Sequence, residues 1–153
     1  MSTDYEAKRG VICCWTLQEK AVLKAEIQRD GFKGWYRNPD RPSQDSLGIA
    51  YADSGETKIV RPDFLFFAEQ NDKIVVDIID PHGFHLADAL PKLKGLAQYA
   101  EAHAQVYRRI EAVAESGGQL RVLDLTRADV RQTLMAATSA ETLYKSVVAG
   151  DYP

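Results

Sequence analysis

Cysteine is scarce in this 153-residue chain: there are two, and they are neighbours, Cys13 and Cys14. Adjacent cysteines seldom bridge because the geometry is strained. A disulfide-stapled secreted scaffold is thereby excluded, and a reducing, cytoplasmic setting is expected. The pair reads as small buried apolar residues rather than nucleophiles, since no His lies near them in sequence. Long hydrophobic runs are missing too. None approaches the ~20 residues that cross a bilayer, and the polar start "MSTDYEAKRG" has no signal-peptide core, so no membrane partner is expected. Nor is there a surplus of positive charge: 19 Lys and Arg stand against 22 Asp and Glu, for a net charge of -3. A domain wrapped in nucleic acid needs clustered basic residues, so any DNA contact must be local. Internal repeats and low-complexity segments are absent.

What remains is ordinary globular material, 45% hydrophobic and 27% charged, enough for one domain over 1–153 with a real core. Residues 16–29 read as a helix: Thr16 can cap it, with Glu19 three positions on completing a capping box. "FKGWY" is a short strand and "RNPDRPSQDS" a loop. "LGIAYAD" is a strand, and "KIVRPDFLFFAEQ" reads as one further strand, followed by a turn at 70–72. "KIVVDIID" is nearly continuous apolar sequence, as in a central strand covered on both faces. After the loop "PHGFHLAD", a helix is predicted over 89–114 with Asp88 as N-cap and Pro91 in its first turn. "QLRVLDL" is another strand, a helix starts at Thr126 or Asp129, and "SAETLYKSVVAG" is a last helix or turn. The order is α, four strands, then α-β-α: a mixed α/β domain with helices packed on a sheet.

Two acids sit in apolar runs, Asp63 at the entry of one strand and Asp77 inside the next. Burying a carboxylate there is costly unless it is compensated. In a hairpin turning at Asn71 and Asp72, opposing residue numbers sum to about 143, which brings Asp63 and Asp77 close to opposite each other. Two such carboxylates repel unless a cation lies between them, and Mg²⁺ or Mn²⁺ takes carboxylate oxygens. The alternatives are a turn-capping Asp63 and a solvent-facing Asp77.

"RPDF", a turn, and "VVDIID" resemble the PD-(D/E)XK core of restriction endonucleases. With "GWYRNPDRPSQDSLGIAY" before them and "PHG" after, the stretch from residue 15 to 125 is similar to the C-terminal nuclease-like domain of helicase-type restriction proteins, including type III restriction subunits. The resemblance implies a restriction-endonuclease-like α/β fold with a mixed sheet flanked by helices. It also implies DNA as partner, Mg²⁺ or Mn²⁺ as cofactor, and a fused or associated helicase through which alone ATP would act. Carried across, the metal-binding acids fall on Asp63 and Asp77, with Asp80 beside them, and the helix glutamate falls on Glu19, with Glu26 as second choice. The family lysine, two positions after the second acid, would be residue 79, which is Ile79 here.

The "DPHGFHLADALPKLK" segment offers substitutes. Lys92 lies one turn after Asp88 on the same helix face, whereas Lys94 points away. His82 is read first as a site residue beside Asp77, able to carry a proton. A structural turn comes next, and a zinc site with His85, Asp80 and Asp88 last. Arg37 and Asn38 of "WYRNP" are candidate phosphate or base contacts. Trp35 and Tyr36 are read as strand core, with base stacking as the alternative. Arg108 and Arg109 read as solvated positions. A metal-dependent DNA nuclease is thus the first reading, and an inactive nuclease fold kept as a DNA-binding or protein-interaction module the second.

Overall fold

A computed structural model describes residues 15–153; Cys13, Cys14 and the polar start lie outside the described residues. The capping box forms as expected. The Glu19 amide donates to the Thr16 hydroxyl at 3.1 Å, and the Thr16 amide donates to the Glu19 carboxylate at 2.8 Å. This opens helix α1, Leu17–Glu26. Strand β1, Phe32–Arg37, follows, and then the hairpin of β2, Ile49–Asp53, and β3, Glu56–Val60. Strand β4 is Phe64–Gln70 and β5 is Lys73–Pro81.

The expected single strand "KIVRPDFLFFAEQ" is in fact two. β3 pairs only with β2 in a separate two-stranded sheet, while β4 belongs to the main sheet. Pro62 sits in the break, where a missing amide donor ends ladder pairing. The β4–β5 turn lies where the sequence placed it, with Asn71 and Asp72 both at positive φ (53° and 60°), the arrangement that Asn and Asp tolerate in tight hairpins.

Helix α2 runs Ala89–Ala102 and stops well short of 114. Residues Arg109–Ser116 form strand β6, the parallel neighbour of β5. The predicted helix carried its apolar stripe on through Ile110, but "RIEAVAES" alternates. Ile110, Ala112 and Ala114 pack into one core and Val113 into the other, the two-residue period of a strand. Strand β7, Gln119–Asp124, helices α3, Ala128–Ala136, and α4, Ala140–Lys145, and the short strand β8, Gly150–Asp151, complete the chain.

The main sheet has the order β1-β4-β5-β6-β7-β8. β5 and β6 are parallel and the other neighbours antiparallel. The result is a mixed α/β domain whose mostly antiparallel sheet is flanked by helices. Val22 and Leu23 of α1 pack against Phe64, Phe66 and Ile79 on one side. Leu93, Leu96 and Ala97 of α2 pack with Ile78, Ile110 and Tyr144 on the other. The β2–β3 hairpin rests on α2 through Gly95. A Cβ there would fall 2.4 Å from the Tyr51 Cβ, so the close approach requires glycine.

Candidate active site

The β4–β5 register decides which acids meet. Phe64 pairs with Ile79 and Phe66 with Asp77. Continued by one residue, this ladder sets Asp63 against Asp80, not Asp77. The pairing expected between Asp63 and Asp77 is therefore corrected: the Asp63 amide donates to Asp80 Oδ1 at 2.9 Å. Asp77 lies further down the strand and, by the two-residue period, on the face that Asp80 does not share.

Asp77 is held by arginines. Its carboxylate accepts from Arg108 Nε at 3.0 Å and from Arg108 Nη2, and from Arg109 Nη1 at 3.1 Å. Arg109 continues to Glu26 on α1 at 2.9 Å and to Glu111 at 2.7 Å. Glu26 also accepts from the Tyr152 hydroxyl at 2.5 Å. Burial raises the Glu26 pKa, but Arg109, the Tyr152 hydroxyl and Arg29 together hold the carboxyl below its ordinary range. Arg108 and Arg109 are thus partners of buried acids, not solvated positions. Asp77 and Glu26 are structural ions compensated from both sides.

At the other end of the strands the charges are poorly compensated. Burial, with the Asp63 charge next, pushes the Asp80 carboxyl up to about 8. Burial pushes Asp63 up to about 6, Arg37 working against the rise and Glu19 adding to it. Arg37, at the end of β1, is the cation of this corner. Its Nη1 donates to Asp63 Oδ1 at 2.7 Å and its Nη2 to Glu19 Oε1 at 2.8 Å. The guanidinium lies over the rings of Phe64 and Trp15, 5.3 and 5.7 Å from their centroids, a cation–π setting. Glu19, placed here by its capping role, shares Arg37 with Asp63 and adds to the rise of the Asp63 carboxyl.

Beyond Asp80 the chain crosses Pro81 to His82, whose amide donates to the Val113 carbonyl at 2.8 Å. The His82 Nε2 is 2.6 Å from the Tyr144 hydroxyl. Burial pushes the imidazole down to about 4, so it is neutral at neutral pH. Burial likewise raises the Tyr144 phenol well above its ordinary range, with the Asp80 charge adding to it. Lys92 forms an i,i+4 pair with Asp88 at 2.6 Å, and its charge bears on Asp80 and His82.

The structure thus brings together Asp63, Asp80, Glu19 and Arg37, with His82 and Lys92 bordering Asp80. It leaves Asp77 and Glu26 outside. Asn38 is committed inward. Its Nδ2 donates to the Leu47 and Pro62 carbonyls, both at 2.9 Å, and its Oδ1 accepts from the Leu47 amide at 2.8 Å. It fastens the loop before β2 to the entry of β4 and has no group left for a nucleic acid. Trp35 packs edge-on against Trp15 and Phe64, while Tyr36 is exposed and donates to the Asp45 carbonyl. His85 lies against Phe84, not beside His82 as a shared ligand. Among the described residues, no three His, Cys, Asp or Glu side chains converge as a preformed metal cage, and no helix is long and apolar enough to cross a membrane. Tyr144 carried no sequence signal, because its contact with His82 spans 62 residues.

Comparison with known proteins gives a family. "Protein YagJ" of Escherichia coli (strain K12) is 60% identical over 134 residues, which cover 88% of this chain and 55% of that protein. The chain thus spans about half the length of the curated relative it matches. No solved structure matches. The YagJ family model matches residues 6–153, and the chain belongs to that family.

Proposed function

We propose that this domain is a metal-dependent, DNA-cleaving domain of restriction-endonuclease-like type, with its site at Asp63, Asp80, Glu19, His82 and Lys92. The observation that carries the reading is the Asp63–Asp80 pair. Two neighbouring strand ends set these residues opposite each other in a buried corner, with the Asp63 amide on the Asp80 carboxylate, and both carboxyls are pushed above their ordinary range. A fold that needed only neutral polar groups there would be served by Asn. A pair of acids suits a cation that arrives later.

The register also bears on the lysine that the resemblance places two residues after the second acid. With Asp80 as that acid, the position is His82 and not Ile79. The donor set fits Mg²⁺ or Mn²⁺, which bind through one or two carboxylates and keep several waters. Such an ion, when bound, neutralises phosphate charge and lowers the pKa of a bound water.

The chain's own groups then divide the work. Asp63 and Asp80 supply the oxygens. Glu19 borders them from α1. His82, neutral and held by Tyr144, orients a water by hydrogen bonding and is too weak a base to take its proton at neutral pH. Lys92 offers its charge to the substrate phosphate once it leaves Asp88. In a helicase-type parent, ATP would act through the attached motor and not at this site.

The test is incubation of supercoiled plasmid DNA with the purified protein and Mn²⁺ or Mg²⁺. Nicking that disappears with EDTA and in Asp80→Asn supports the reading. A protein that binds Mn²⁺ but cleaves neither supercoiled nor single-stranded DNA contradicts it. The second reading, a nuclease fold kept as a DNA-binding or protein-interaction module, draws on Arg37, which places a permanent cation against two of the acids. DNA retention without cleavage, unchanged by EDTA, would favour it.

A further inference from the structure

The β2–β3 hairpin pairs with no other strand among the described residues. Tyr51 of β2 seats it on α2 at Gly95. α2 lies under β2 more than under β3, so β3 overhangs with an exposed outer edge. Ser54 and Gly55 close the hairpin with φ of 54° and 80°, the two-residue turn whose central residues are both left-handed. Such a turn makes Asp53 and Glu56 a hydrogen-bonded pair, and the pattern alternates along the ladder. The amides and carbonyls of Glu56 and Lys58 therefore turn to β2, and those of Thr57 and Ile59 turn outward. The charges are uneven as well. Asp53 faces Glu56 across the two strands, and like charges in that position repel. Lys58, the one cation of the hairpin, bridges to Asp53 at 2.7 Å. Glu56 is left without an ion pair among the described residues.

We propose that the free edge of β3 pairs with β3 of a second copy of this chain, joining two hairpins into a four-stranded antiparallel sheet with its two-fold axis at Thr57. In that register Thr57 exchanges both backbone hydrogen bonds with Thr57 of the second copy, and Ile59 pairs likewise with Gly55. Glu56 stands opposite Lys58 of the second copy, and Lys58 opposite Glu56, in the closer, non-hydrogen-bonded positions. Each Glu56 gains a cation, and the contact is self-complementary, as a two-fold interface must be. Centring the axis on Glu56 or Lys58 instead would set like charges against each other. The other face of the hairpin adds no repulsion: it carries Ala50, Ala52, Thr57 and Ile59, all exposed and uncharged. One strand pair is a small interface, so the dimer is of the weak, transient class.

The experiment is sedimentation equilibrium on wild type, Thr57→Pro, Glu56→Lys and Lys58→Glu, at protein concentrations up to about 1 mM, where a weak contact is populated. Thermal unfolding checks that each variant is folded. Proline at Thr57 removes an outward amide and is tolerated on an edge strand. We expect wild type to dimerise and Thr57→Pro to stay monomeric. Glu56→Lys and Lys58→Glu each set like charges opposite one another, and each alone should dimerise about tenfold more weakly. Mixed in equal amounts, they should pair with each other at wild-type strength, because one edge then carries only cations and the other only anions. Monomeric wild type at every concentration overturns the proposal. So does a dimer that Thr57→Pro and both charge variants leave unchanged, or a mixture of the two charge variants that stays monomeric.

Discussion

The amide of Asp63 donates to the carboxylate of Asp80 at 2.9 Å, across the ends of two antiparallel strands. This contact joins two acids whose protons are held more tightly in the folded chain than in the unfolded one. Asp63 moves from 3.8 to about 6 and Asp80 from 3.8 to about 8. Over that window the native state binds more protons than the unfolded state, so these two groups make stability fall as pH rises. His82 works in the opposite sense between about 4 and 6.5, because its folded pKa is depressed. The fall is therefore clearest between about 6.5 and 8, where Asp80 titrates alone of the three. We expect the melting temperature in EDTA to drop across that range and Asp80→Asn to flatten it. Saturating Mn²⁺ should also flatten it by binding the ionised pair. Calorimetric melting at a series of pH values checks this.

Asp77 belongs to the architecture. Its carboxylate is 1% exposed and answers Arg108 and Arg109 together. Asp77→Ala leaves Arg108 without its anion and removes one of the three acids around Arg109, and breaking such a buried pair costs about 3–5 kcal/mol. Urea unfolding should show that loss, with Mn²⁺ affinity of the remaining folded protein unchanged.

Tyr144 positions His82. Its phenol is completely buried, 2.6 Å from the imidazole, and its ring stacks on Phe84. Tyr144→Phe keeps the ring and the stacking but removes the hydroxyl. An unsatisfied buried nitrogen then costs about 1–3 kcal/mol. We expect the ring ¹⁵N shifts of His82 to move and DNA cleavage to slow, with Mn²⁺ affinity retained. Unchanged His82 shifts would deny Tyr144 this role.

Gly95 tests the packing that carries the hairpin on α2. Gly95→Ala sets a methyl against the Tyr51 side chain at 2.4 Å, and such overpacking costs about 1–3 kcal/mol. A lowered urea midpoint with an unchanged slope is the expected result.

Local signals in the sequence were sound where the physics was local. Thr16 and Glu19 make their capping box, and Asn71 and Asp72 make their turn. The hairpin rule was also sound, since opposing residues do sum to about 143. Asp63 and Asp80 satisfy it, while Asp77 drew attention because it interrupts an apolar run. That interruption was real, but its cause lay 31 and 32 residues away in Arg108 and Arg109. Those arginines lie inside the segment 89–114 read as one helix from its apolar stripe. The alternation in "RIEAVAES" was the signal that went unused, and with it the parallel strand that brings both guanidinium groups to Asp77. Arg37 and Glu19 were each visible as candidates. Their bridge to each other was not, because it forms only when β1 pairs with β4 beneath α1.

The most direct measurement is Mn²⁺ binding by isothermal titration calorimetry to wild type, Asp63→Asn, Asp80→Asn and Asp77→Asn, each confirmed as folded. Wild type and Asp77→Asn are expected to bind the ion, and Asp63→Asn and Asp80→Asn to lose it. Retention of binding in Asp80→Asn together with its loss in Asp77→Asn, or no binding by wild type, would contradict a metal site built on the pair Asp63 and Asp80.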